Sequence, residues 1–147
     1  MPTPAPAPLP PALARFVEES RPLDRMTRTM LLLDYADRLG PYPEDKMDEA
    51  RRVRGCASRV YLDAEHDAAQ DVMRYRAWAD AETVKGLVAV LVTALDGLPP
   101  AEVVAVTPDF VREAGLDESL SATRQGGFAA VLGRMQNAAR AATSTHP

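Results

Sequence analysis

The hydrophobic period of this chain changes twice along its length, and that change limits the folds open to it. Over residues 22–39 the apolar side chains Leu23, Met26, Met30 and Leu33, with Leu32, Ala36 and Leu39, recur every three or four positions, which predicts a helix turned to a core. From residue 60 the period becomes two. Val60 and Leu62 alternate with Arg59, Tyr61 and Asp63, and Met73, Tyr75 and Ala77 alternate with Val72, Arg74 and Arg76, which predicts an antiparallel hairpin turning around residues 66–70. Val84, Leu87, Val88, Leu91, Val92 and Leu95 then restore the helical period, with Asp80 as the expected cap.

Proline and glycine mark the ends of these segments. Gly40, Pro41 and Pro43 stop the first helix, Gly97, Pro99 and Pro100 stop the one after the hairpin, and Pro108 and Gly115 break residues 100–116 into short helical pieces. Ser121 opens a last helix carrying Phe128, Val131, Leu132 and Met135 on one side. Residues 44–50 read as polar and partly helical, and a short third strand fits 51–54, so that 55–58 connect it to the hairpin. Helices, strands, then helices again predict an α+β fold: an antiparallel sheet of about three strands with helices packed on one face.

At 147 residues, 46% hydrophobic and 26% charged, the chain suits one core. Residues 1–11 are expected to form a disordered Pro/Ala-rich tail, 12–142 a single domain and 143–147 a flexible tail. No apolar run approaches the roughly 18 residues of a membrane span, and the first residues lack a signal-peptide pattern, so a cytoplasmic protein away from membranes is expected. A formal charge of -4 and a pI near 5.2 argue against nucleic acid as a partner, because such binding uses a basic surface to displace counterions.

One cysteine, Cys56, excludes an internal disulfide and a CxxC redox pair, and one Cys with two His falls short of a closed zinc site, so no metal is expected. The run R-R-V-R-G-C-A-S-R at 51–59 holds Arg51, Arg52, Arg54 and Arg59 and no acid, inside an acidic protein. Nearby cations favour a thiolate, and Gly55 frees the backbone to turn, which together suit a nucleophile on a loop supported by Gly55 and Ser58. The opposing reading is a small buried apolar filler beside arginines that solubilise a strand edge; the residues alone leave both open. The lack of a second cysteine excludes a peroxide cycle with an internal resolving thiol. His66, in the expected turn, does not suggest a Cys-His hydrolase.

The run V-R-G-C-A-S-R-V-Y-L at 53–62 resembles the cysteine motif of SufE-type sulfur acceptors. D-A-E-T-V-K-G-L-V-A-V at 80–90 is similar to that family's helix after the strands, and L-S-A-T-R-Q-G-G-F at 120–128 to its turn into the last helix. The family's usual Trp is Tyr61 here, a Pro is Ala122 and an Asn is Gly126. The resemblance implies a SufE/IscU-like fold in which Cys56 accepts persulfide sulfur from a pyridoxal-phosphate cysteine desulfurase, stimulating it, and passes the sulfur to an iron-sulfur scaffold. It implies no cofactor of the chain's own. Arg51, Arg52, Arg54, Arg59 and Arg124 become candidates for partner docking or thiolate stabilisation, with a surface ion pair as the plain alternative for Arg124. Other readings are an iron-sulfur scaffold, which normally holds a cluster with several cysteines, and a regulatory thiol or binding module of the same fold.

Overall fold

The computed structural model describes residues 9–144. Helix α1 (Pro11–Ser20) begins where the expected tail ends: Pro10 and Pro11 open it and Leu9 packs against the core. Proline at a first turn sacrifices no helical hydrogen bond, so residues 9–11 join the fold instead of the tail. Residues 1–8 and 145–147 of the two expected tails lie outside the described residues, and residues 143 and 144 belong to the last helix.

Helix α2 (Arg25–Ala36) is capped by Asp24, whose carboxylate accepts from the Thr27 amide at 2.8 Å. Only one of its two apolar rows is covered. Leu32, Tyr35 and Ala36 are buried, while Met26, Met30 and Leu33 face outward, contrary to the expectation that both rows meet the core. The covered side is where helix α3 (Glu82–Leu95) comes so near that a Cβ on Gly86 would collide with the Leu32 carbonyl, and a helix offers only one such stripe. Arg28, 3% exposed, donates to the carbonyls of Ser20, Arg21, Leu23 and Gly115 and to the hydroxyls of Ser20 and Ser119. It thereby ties the start of α2 to the two ends of the short helical turn at 116–119. Gly115, at φ +77°, leaves the space its guanidinium fills.

A 3₁₀ turn (Glu44–Lys46) precedes the sheet. Strands β1 (Val60–Asp67) and β2 (Val72–Ala79) pair antiparallel, Val60 opposite Ala79 through Asp67 opposite Val72. The sheet has two strands instead of about three. Residues 51–54 meet β1 through one bridge, Arg52 opposite Tyr61, with the Val53 amide donating to Val60 and the Leu62 amide to Arg51. A turn at 48–52 before it and Gly55 at φ +94° after it leave no room for a longer strand. The hairpin connection is 68–71 and so starts two residues later than expected, and His66 lies within β1, opposite Met73 and 2.8 Å from the Asp71 carboxylate.

Asp80 does not cap α3, whose N-cap is Ala81; it accepts from the Arg59 amide at 3.0 Å and closes the open end of the hairpin. Short helices α4 (Pro100–Val104), α5 (Phe110–Glu113) and α6 (Leu116–Ser119) follow α3. Helix α7 (Ala122–Ser144) then follows Ser121, whose hydroxyl accepts from the Arg124 amide at 3.2 Å. Leu87, Leu91 and Leu95 of α3 and Val131, Leu132 and Met135 of α7 are buried with Met73, Tyr75 and Ala77 of β2, and the Tyr75 hydroxyl donates to the Met135 carbonyl at 2.7 Å.

Asp63 on β1 is 4% exposed and accepts from Arg51 at 3.0 Å, Arg76 at 2.8 Å and Lys46 at 3.4 Å. Burial alone would raise its pKa; the three cationic donors outweigh burial and hold it below the ordinary value. The stabilisation is therefore present above the unfolded carboxylate value of about 3.9 and is lost as pH falls through the lower folded value. Asp63→Asn should cost about 1.5–3 kcal/mol at neutral pH, the usual worth of a charged hydrogen bond, and should remove part of the acid sensitivity. Urea titrations of both proteins across the acid range check this.

Candidate functional site

Cys56 follows Gly55 on the connection between the 51–54 segment and β1, and the connection lies against α7. The thiol donates to the Gly127 carbonyl at 3.5 Å, and a Cβ at Gly127 would stand 3.3 Å from Sγ, so glycine lets the sulfur come this close to the helix. Gly55 approaches Ala130 of α7 in the same way, with 3.4 Å from its Cβ position to that of Ala130. Its φ of +94° is the left-handed turn that aims Cys56 at the helix, and a side chain there would be strained.

The half-buried sulfur opens on a cavity of about 180 Å³. Cys56, Ala57 and Ser58 form one wall, Val84, Leu87 and Val88 of α3 another, and Ser121, Thr123, Arg124, Gly127, Phe128 and Val131 the third. The three sequence segments around residues 56, 85 and 125 thus converge on one space. Burial pushes the Cys56 thiol above its ordinary value, and no charge offsets that.

Three of the four arginines at 51–59 expected to face the thiol or a partner are instead paired with acids of the chain. Arg51 pairs with Asp48 at 2.6 Å and with Asp63 at 3.0 Å, Arg54 with Glu49 at 2.8 Å, and Arg52 with the same Glu49 at 3.9 Å. Their charge is spent on Asp48 and Glu49 of the preceding turn and on Asp63 of β1, none of which the run 51–59 contains. Arg59, Lys85 and Arg124 join none of the ion pairs formed among the described residues. Of the expected residues, Cys56, Ser58 and Arg124 line the cavity and Gly55 turns the chain into it. Gly127, Thr123, Val84, Phe128 and Val131 escaped the sequence reading as cavity residues. The Gly126-Gly127 pair inside a helical pattern was a usable sign of close approach.

Comparison with known proteins settles the family. Residues 14–139 match the family model "SufE: Fe-S metabolism associated domain". The chain belongs to the SufE family. An uncharacterized SufE-like protein of Synechocystis is 42% identical, over 90% of this chain and 83% of the relative, and an uncharacterized SufE-like protein of Mycobacterium tuberculosis is 34% identical over 94% and 98%. The solution structure of a hypothetical protein from Thermus thermophilus superposes with a TM-score of 0.80 at 30% identity, covering 94% of this chain and all of that one. The SufE cysteine motif, 53–62, and its late motif, 120–128, meet at the Cys56 to Gly127 contact.

Among the described residues no group of three or more His, Cys, Asp or Glu is placed to hold a metal ion, and no helix is long and apolar enough to cross a membrane. Burial of the thiol has a direct test. Iodoacetamide alkylation of the native protein should still accelerate with pH above about 8.5, the ordinary cysteine value, and should level near that value in urea. A native profile that levels at or below it would contradict the shielding described.

Proposed function

We propose that this protein is a sulfur acceptor that takes persulfide sulfur from a cysteine desulfurase onto Cys56 and passes it on for iron-sulfur cluster assembly. The observation that carries the reading is the convergence of three separated segments on one small cavity with the chain's single thiol in its wall. A space of about 180 Å³ beside Sγ has room for an added sulfur partly shielded from solvent and oxidants.

The Cys56 thiolate attacks the terminal sulfur of the donor persulfide. A new S–S bond forms at Cys56, the donor S–S bond breaks, and its electron pair leaves on the donor thiolate, so sulfane sulfur moves with no net oxidation. In the resting fold burial favours the neutral thiol, which keeps Cys56 quiet until a partner changes its surroundings. Withdrawing the persulfide frees the desulfurase for another turnover, so the protein is a carrier and an activator, working in the cytoplasm and needing no cofactor of its own. The pyridoxal phosphate belongs to the desulfurase, and the next acceptor is an iron-sulfur scaffold.

Docking charge belongs to Arg59 and Arg124, aided by Lys85, because these cations lie at or beside the cavity segments and are not spent on the chain's own acids. They suit an acidic surface on the desulfurase, where complementarity chiefly raises the encounter rate.

Desulfurase turnover with free cysteine tests both parts. The native chain should raise the rate and Cys56→Ser should not; an equal rise with the variant would refute the acceptor role. Arg59→Glu with Arg124→Glu should raise the concentration for half-maximal activation about tenfold at low salt, and the gap should narrow by 1 M, where screening acts within about 3 Å. Reversal at Arg52 and Arg54 should matter less.

A further inference from the structure

The segment that carries Cys56 is fastened to α7 at three points, and their order along the helix is regular. Gly127 receives the thiol, Ala130 receives Gly55, and Arg134 receives the backbone before them. These positions are three and four residues apart, so they share one face of α7 and follow the helix axis. The segment 50–56 runs along that face in the opposite sense.

Arg134 makes the far attachment. Its Nη2 donates to the Ala50 carbonyl at 2.7 Å and its Nη1 to the Arg52 carbonyl at 3.1 Å. The main chain of Arg51 and Val53 is already used by β1, through the Arg51 carbonyl and the Val53 amide. Alternate groups of this short edge therefore point two ways: one set to the sheet, the other to a single guanidinium. A planar fork with two parallel donors is the side chain able to bridge two carbonyls of one extended edge. No carboxylate among the described residues pairs with Arg134, and these two contacts are its hydrogen bonds to the cysteine-bearing segment.

We propose that Arg134 is a positioning residue that clamps residues 50–52 to α7 and so sets how deeply Cys56 sits against Gly127. The clamp closes the outer edge that the single bridge at Arg52 leaves open, and it lies upstream of the Gly55 turn, so a shift of the segment is carried into the cysteine. Arg124 is the charged side chain in the cavity wall, and Arg134 acts through the backbone instead of through charge at the thiol. The inference rests on Cys56 being the reacting group of the proposed acceptor, but it is read on the protein alone, without a desulfurase, so its failure and that of the acceptor role are separate results.

The test is the pH profile of Cys56 alkylation by iodoacetamide in Arg134→Gln, with folding checked by circular dichroism and thermal melting. Release of the clamp should raise the rate at neutral pH about tenfold, within what the loss of its two charge-assisted hydrogen bonds can supply, and should move the inflection down toward the ordinary value of about 8.5. A role in stability alone would lower the melting temperature and leave both the rate and the inflection of the folded protein unchanged, which would overturn the inference. Should Arg134→Gln fail to fold, Arg134→Lys serves: it keeps the charge but reaches one carbonyl at a time, so a smaller rise with the same downward shift is expected, and a native rate and profile would overturn the inference.

Discussion

The approach of the Cys56 sulfur to the backbone of α7 is the contact on which the site depends. It needs two glycines with different tasks: Gly55 supplies a left-handed turn, and Gly127 supplies a bare stretch of helix where a side chain would press on Sγ. From that contact follow the half-burial of the thiol, the upward displacement of its pKa, and the position of the cavity between the cysteine loop, α3 and α7. The two-stranded sheet is the support, holding the loop by the bridge at Arg52 on one side and by the Asp80 carboxylate under Arg59 on the other.

Electrostatics here serves shape more than reactivity. Asp63, buried in β1, gathers Lys46, Arg51 and Arg76 and so ties the segment before the cysteine to the sheet, while Glu49 takes Arg52 and Arg54 in exposed pairs. A thiol kept neutral by burial resists chance oxidation, whereas one held ionised by free cations would be exposed to it. The first arrangement is the one this fold adopts.

Much of the fold was legible because period and punctuation agree: the hairpin, α3 between Asp80 and Gly97, and α7 after Ser121 all appear close to where alternation, helical spacing and turn residues put them. The errors have physical causes. Met26, Met30 and Leu33 repeat at helical spacing yet face outward, because spacing defines a face without saying which neighbour covers it. The third strand shrank to one bridge because local turns on both sides consumed its residues. Cys56 and its glycine were visible in the sequence, but the neutralisation of Arg51, Arg52 and Arg54 was not. It depends on Asp48, Glu49 and Asp63, whose placement is fixed only by the turn and the sheet.

The most direct test of the acceptor account is where the sulfur goes. The protein is incubated with a cysteine desulfurase, pyridoxal phosphate and free cysteine, alkylated, and measured by intact and peptide mass spectrometry. The account predicts a reducible adduct of one sulfur atom on the peptide containing Cys56, absent when cysteine or the desulfurase is omitted. An unmodified Cys56 peptide under conditions where the desulfurase itself carries persulfide would contradict it.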